Sequence, residues 1–413
     1  MKNTIKANHG KEADTLSSLN GTPSSERLHI GFFGRRNVGK SSLVNAVTGQ
    51  ELSVVSDVLG TTTDPVRKAM ELLPIGPVVI IDTPGFDDDA GELGALRIEK
   101  MLGILEVVDV AVLVQVAGEE SGYYEKTLED CFLKRKVPYI IARNKSDLVG
   151  IAEDEQGKND IYVSAKSGAG IDSLKEMIGK AGQTGEPEQP LISDLIRPGE
   201  YVLLITPIDS AAPKGRMILP QQQIIREVLN VGAINIVTKE TELAQSLAGL
   251  SRPPVLAVTD SQAFKVVSEI IPEEIPLTSF SILFARYKGL LTEAVKGVKI
   301  LDTLVSGDKV LICEGCTHHR QCDDIGTVKL PRMIREYTGA EPDFRFTSGG
   351  TFPSEFELSG YKLIIHCGGC MLRERTMRYR TALAVSAGVP ITNYGIVIAQ
   401  ITGILARSIA ALR

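Results

Sequence analysis

At 413 residues, with 43% hydrophobic and 23% charged residues, the chain is too long for one core and has an ordinary globular composition. Two to four folded domains are expected. A formal net charge of −6 argues against a large nucleic-acid footprint, which requires a net basic domain.

The first 25 residues are polar and contain Gly and Ser, so they read as a disordered leader rather than a targeting signal. His29 to Phe33 follows as a short apolar run, read as a buried strand. It leads into Gly34-Arg35-Arg36-Asn37-Val38-Gly39-Lys40-Ser41 and a helix over Ser42 to Thr48. This is GxxxxGK[ST] in its strand–loop–helix setting: backbone N–H groups of Gly34, Asn37, Val38 and Gly39 turn toward the phosphates at the positive end of the helix, where Ser42 follows. Lys40 is expected to reach the β- and γ-phosphates, and the Ser41 hydroxyl to ligate Mg²⁺.

Val78 to Ile81 is a second buried strand, ending in Asp82-Thr83-Pro84-Gly85. Asp82 is placed to hold the Mg²⁺ shell, and the Gly85 N–H to sense the γ-phosphate. Tyr139 to Arg143 ends in Asn144-Lys145-Ser146-Asp147, where the Asp147 carboxylate can accept from both N1–H and N2–H of guanine. Adenine lacks both donors, and the unpaired groups left behind would exclude it. Ser164-Ala165-Lys166 supplies the last base-contacting loop.

These motifs resemble the Ras-like P-loop GTPases, and more narrowly the Era and tRNA-modification GTPase branch, through Asn37 and Gly60-Thr61-Thr62-Thr63-Asp64. The resemblance implies that Thr62 completes the Mg²⁺ shell and that Asn37 holds a K⁺ ion against the phosphates. Position 86 is Phe, which cannot orient water as the Ras glutamine does, so slow, K⁺-stimulated hydrolysis is expected.

Gly182 to Pro190 reads as a linker. Beyond it, strands at Tyr201–Ile205, Ala233–Val237 and Pro254–Val258 alternate with amphipathic stretches over Gln221–Leu229, Thr241–Ala248 and Gln262–Glu269. That pattern predicts a small α/β layer. It carries no catalytic constellation; Asp209, Lys214 and Arg216 read as solvated loop charge, and dimerisation is the expected role.

The last third is expected to start with a helix over Thr278 to Leu301. Two apolar strands follow, Val310–Ile312 running into Cys313-Glu314-Gly315-Cys316-Thr317-His318-His319, and Tyr361–Ile365 running into His366-Cys367-Gly368-Gly369-Cys370. Five of the six cysteines lie between 313 and 370, which points to metal rather than a disulfide framework and to a cytoplasmic chain. Both groups are expected at the carboxyl ends of parallel strands, where α/β sheets present their ligands. A four-cysteine zinc site is formally available, but its intervening loop would be long and the histidines unexplained. A 4Fe-4S cluster is the favoured reading. Ala382 to Leu412 is apolar but broken by Pro390, Asn393, Gln400 and Arg407, and reads as buried or docking helix rather than a membrane span.

CxH, 47 residues and HCxxC, with Asp323-Asp324-Ile325-Gly326 and Lys329-Leu330-Pro331-Arg332, resemble the signature of the FeFe-hydrogenase maturation GTPase family HydF. The resemblance covers nearly the whole chain. It implies an α/β protein of three domains: a Ras-like P-loop GTPase (26–183), a small α/β dimerisation domain (191–276) and an α/β cluster-binding domain (277–413). It also implies a 4Fe-4S cluster on Cys316, Cys367 and Cys370 with one labile iron. Glu314, His318, His366 and Cys313 are candidates for the fourth ligand, and Cys322 lies nearby. The implied cargo is a diiron precursor of the hydrogenase active site, and the implied partners are a second copy of the chain, two radical S-adenosylmethionine maturases (HydE and HydG types) and apo FeFe-hydrogenase. The competing readings are an Era-like RNA or ribosome-assembly GTPase with structural zinc, and a cluster-dependent redox enzyme.

Overall fold

The computed structural model describes residues 23–50, 66–83, 103–149, 158–183, 189–207, 217–315, 324–349 and 352–412. The described chain forms two compact units, residues 1–91 with 109–182, and residues 92–108 with 183–413.

The first unit is a six-stranded sheet in the order β2-β3-β1-β4-β5-β6. Its strands are β1 (Leu28–Phe33), β2 (Val66–Leu72), β3 (Gly76–Asp82), β4 (Val110–Val116), β5 (Tyr139–Asn144) and β6 (Asp160–Tyr162). All neighbours are parallel except β2, which runs antiparallel to β3. Ile30, Phe32, Val78, Ile80, Val110, Val112 and Val114 share one buried core, and β1, β3 and β4 are buried along nearly their whole length, as central strands covered on both faces are. β1 and β3 are in register with Phe32 opposite Asp82, so the phosphate loop leaves β1 beside the aspartate that ends β3.

The second unit holds two four-stranded, wholly parallel sheets ordered β10-β9-β7-β8 and β12-β11-β13-β14. The strands are β7 (Tyr201–Ile205), β8 (Ile234–Thr238), β9 (Leu256–Thr259), β10 (Leu277–Ser279), β11 (Lys309–Glu314), β12 (Asp343–Ser348), β13 (Leu363–His366) and β14 (Ile391–Asn393). In chain order the two topologies are the same, and the sequence repeats with them. Leu219-Pro220 and Leu330-Pro331 open the helices that follow the first strand of each sheet. Ile225-Arg226-Glu227 recurs as Ile334-Arg335-Glu336, and both helices close on a left-handed glycine, Gly232 and Gly339. Ser279 and Asn393 cap the helices after the fourth strands, accepting from the N–H of Ile282 (3.2 Å) and Ile396 (2.8 Å). The second unit is thus one α/β pattern used twice, its copies sharing a single hydrophobic core.

Two expectations change here. Thr278 to Leu301 is not one helix: Leu277–Ser279 is β10, paired to β9, and helices Phe280–Tyr287 and Leu291–Gly297 are separated by Gly289 at φ +72°. The second sheet therefore runs past the expected boundary at 276. The apolar stretch after Ala382 contains β14 and two short helices, Tyr394–Ile401 and Leu405–Ala410, with Ile396 to Ala399 buried. Among the described residues no helix is long and apolar enough to cross a membrane.

Candidate functional site

The nucleotide motifs converge at the carboxyl ends of β1, β3, β5 and β6. The phosphate loop bends through two left-handed residues, Asn37 (φ +62°) and Gly39 (φ +88°). Glycine is required at 39, because a Cβ there would lie 2.4 Å from Asn144 Nδ2. Asn144 joins both ends of the pocket: its Nδ2 donates to Val38 O (3.0 Å) and its Oδ1 accepts from Ala165 N (3.0 Å). Lys145 Nζ donates to Asn37 O (2.8 Å), and Ser164 Oγ donates to Asp147 Oδ1 (2.7 Å). The guanine-binding motif therefore also holds the phosphate loop in shape.

Lys40 opens the helix Lys40–Thr48 and is buried, and Ser41 Oγ donates to Asp82 Oδ2 at 3.0 Å. The other oxygen, Asp82 Oδ1, is buried without a hydrogen-bond partner among the described residues. An orphaned carboxylate oxygen beside a serine hydroxyl is the donor set a Mg²⁺ ion takes, so these residues fit the ion. Arg35, which the motif leaves unspecified, is anchored by Nε to Glu125 Oε1 (2.6 Å) and by Nη2 to Glu119 Oε2 (3.1 Å). Ser42 follows in the first helical turn. Thr62, Gly85 and Phe86 lie outside the described residues, as does the expected leader up to 22.

In the second unit β11 and β13 are parallel neighbours with Cys313 opposite His366. Their carboxyl ends thus bring the two cysteine segments together. Cys367 N donates to Cys313 O (2.9 Å), and Cys367 Sγ accepts from Gly315 N (3.1 Å) and Gly369 N (3.4 Å). Gly369 sits at φ +61°, and a Cβ there would meet Met377 Sδ at 2.7 Å. Burial pushes the thiols of Cys367 and Cys370 up; the two N–H groups pull Cys367 back down, and Lys288 does the same for Cys370.

Cys316, His318 and Cys322 lie outside the described residues, and so do Asp209, Lys214 and Arg216. Among the described residues no group of three or more His, Cys, Asp or Glu is arranged to hold a metal ion. Three fourth-ligand candidates are described. His366 is fully buried with both nitrogens engaged: Nδ1–H donates to Cys367 O (2.9 Å), and Nε2 accepts from Arg380 Nη1 (2.9 Å). Burial and Arg380 lower its pKa to about 3, so the imidazole is neutral. The Cys313 thiol is pushed up to about 12 by burial. Glu314 is half-buried, with Oε1 close enough to the Gly326 backbone that a Cβ there would lie 2.5 Å away.

Three residues around the cysteines carried no signal in the motif. Lys288, 3% exposed, donates through Nζ to Gly369 O and Leu372 O. Arg380, 1% exposed, bonds His366 and Gly349 O (3.1 Å). Tyr394 Oη is buried without a partner among the described residues. Neither cation has a carboxylate within ion-pair distance among those residues, although Glu374 acts on Lys288 and Glu106 on Arg380 from farther away. Two buried cations, a donor-rich Cys367 sulfur and an unpaired phenol fit an anionic thiolate-bound cluster.

Comparisons with known proteins match three successive parts of the chain. The model of the hydrogen maturase F tetramerization domain matches residues 292–411, that of the hydrogen maturase F dimerization domain matches 191–289, and that of the 50S ribosome-binding GTPase matches 29–145. The tRNA modification GTPase MnmE of Laribacter hongkongensis is 35% identical over 167 residues, 40% of this chain and 37% of that protein. The protein of the same name from Polynucleobacter asymbioticus is 34% identical over 188 residues, 44% and 41% of the two chains. GTPase Era of Carboxydothermus hydrogenoformans is 32% identical over 171 residues, 39% of this chain and 57% of that one. The chain spans between 37% and 57% of the length of these relatives.

Proposed function

From its membership of the hydrogen maturase F family, to which the two matched domains behind a GTPase domain assign this chain, we propose that it is a GTP-regulated iron–sulfur scaffold of FeFe-hydrogenase maturation. It carries a diiron precursor as cargo and passes it to apo FeFe-hydrogenase. Two radical S-adenosylmethionine maturases, of HydE and HydG type, supply that cargo in the cytoplasm. The observation that carries this reading is the meeting of Gly315 and Cys367 across β11 and β13, residues far apart in sequence, between two buried cations.

Cys316, Cys367 and Cys370 would hold a 4Fe-4S cluster, which supplies an iron position open to exchangeable ligands. The chain's own part is to present the sulfurs, donate to Cys367 Sγ from two backbone N–H groups and balance the charge. Glu314, His318, His366 and Cys313 are the candidates for the fourth ligand, and His366 would have to give up its bond to Cys367 O or to Arg380 to serve. The ribosome-assembly alternative would need an RNA-binding module after residue 190, where the two oligomerisation domains match instead.

GTP binds with Mg²⁺ on Ser41 and Asp82, joined by Thr62, and Asp147 selects guanine. The γ-phosphate orders the segments around Thr62 and Gly85 and so alters the surface offered to partners. With Phe86 unable to orient water, hydrolysis is slow and draws on K⁺ held at Asn37. GTPase rates in KCl are expected to exceed those in NaCl at matched ionic strength by about tenfold, the scale of one stabilising contact in the transition state. Equal rates, or full K⁺ activation in Asn37→Ala, would remove K⁺ from the site.

The reading is tested by anaerobic purification with iron and sulfide quantification. About four of each per chain are expected, with the EPR signal of a reduced 4Fe-4S cluster. Stoichiometric zinc without sulfide would overturn it.

A further inference from the structure

The helix Phe280–Tyr287 of the first α/β copy and the helix Tyr394–Ile401 of the second occupy the same place in the repeat. Each ends two residues before a left-handed glycine, Gly289 or Gly403, and the intervening residue is Lys288 in one and Thr402 in the other. Thr402 Oγ1 bonds back to its own helix at Ile398 O (2.7 Å). Lys288 instead leaves its copy. Its ammonium bonds Gly369 O and Leu372 O, which flank Cys370, and passes 5.7 Å from the Phe284 ring.

We propose that Lys288 is the counter-ion of the cluster site, lent by the first copy to a centre whose cysteines all come from the second. It fastens the Cys370 turn and sets a positive charge beside the Cys367 and Cys370 sulfurs, raising the reduction potential of a 4Fe-4S cluster bound there. This rests on the cluster reading above. Reduction adds one electron from a one-electron donor, dithionite in the experiment, with no bond made or broken. A fixed positive charge favours the more negative product in a low-dielectric site.

The test uses the full chain, reconstituted anaerobically, with iron and sulfide counted and the midpoint read by EPR-monitored titration. Lys288→Gln keeps donors for the two carbonyls and removes the charge; Lys288→Arg keeps the charge. In Lys288→Gln the ratio of reduced to oxidised cluster at the wild-type midpoint should fall at least tenfold, a shift of 59 mV for one electron. Lys288→Arg should restore it. A wild-type midpoint in a fully loaded Lys288→Gln protein overturns the proposal. If Lys288→Gln takes up no cluster, Lys288→Arg decides: a loaded cluster with wild-type midpoint supports the charge role, and loss in both variants overturns it. Failure of the wild-type chain to take up iron and sulfide would sink the cluster reading itself, an outcome distinct from an unmoved midpoint.

Discussion

Cys367→Ala is expected to abolish the cluster while leaving GTP hydrolysis at the rate of the unaltered chain, and Lys40→Ala to do the reverse. The two sites lie in separate compact units with separate buried cores, so each can be altered without removing a residue from the other's core. Cys367 is also the acceptor for Gly315 N and Gly369 N. Its loss leaves two donors unsatisfied at a half-buried turn, about 1–3 kcal/mol each, enough to loosen the turn without unfolding the unit. On the proposed reading Lys40 supplies charge-assisted bonds to phosphate, and losing about 3 kcal/mol would weaken nucleotide binding by roughly a hundredfold. Iron and sulfide content, EPR and GTPase rate are measured on each variant beside activation of apo-hydrogenase. Both variants should fail in activation. Normal activation by the Cys367→Ala protein would refute the scaffold reading.

Dissociation of the oligomer is expected from Ile234→Asp combined with Val237→Asp. β8 is an edge strand of its sheet, paired on one side to β7, and it exposes Ile234 (44%) and Val237 (46%). An open edge with apolar side chains is a surface that a second copy can cover by strand pairing, and a two-fold interface counts every substitution twice. At about 1.5 kcal/mol per buried side chain, the four losses reach ~6 kcal/mol, about four orders of magnitude in the dimer constant. The unit itself should stay folded, because neither side chain belongs to its buried core. Light scattering behind size exclusion reads the result, and an unchanged mass in the double variant would place the interface elsewhere.

What could be read directly from the residues was whatever depends on local pattern. The phosphate loop, Asp82 and the Asn144 to Asp147 motif each follow an apolar β-branched run, and those runs became β1, β3 and β5. β11 and β13 were legible for the same reason. β10 and β14 were not: each has three residues and runs straight into an apolar helix, so its side chains show no period of two. β12 was hidden differently, since Asp343 and Arg345 give an edge strand no apolar run. The repeat within the second unit was present in the residues, as in Leu-Pro and Ile-Arg-Glu. It is thinly spread, however, and the first helix is longer by several residues.

The sequence by itself carried the nucleotide motifs and the cysteine pattern, because both are written as residue types at short spacing, where chain geometry alone holds groups together. Only the tertiary structure decided what surrounds them. Lys288 and Arg380 look like ordinary surface charges in the sequence, and Tyr394 like a helical core residue. They meet Cys367 and Cys370 only because parallel pairing of β11 with β13 and packing of one α/β copy on the other bring distant segments to one sheet end. Burial there turns a lysine into a counter-ion, since removing water makes each remaining charge count for more.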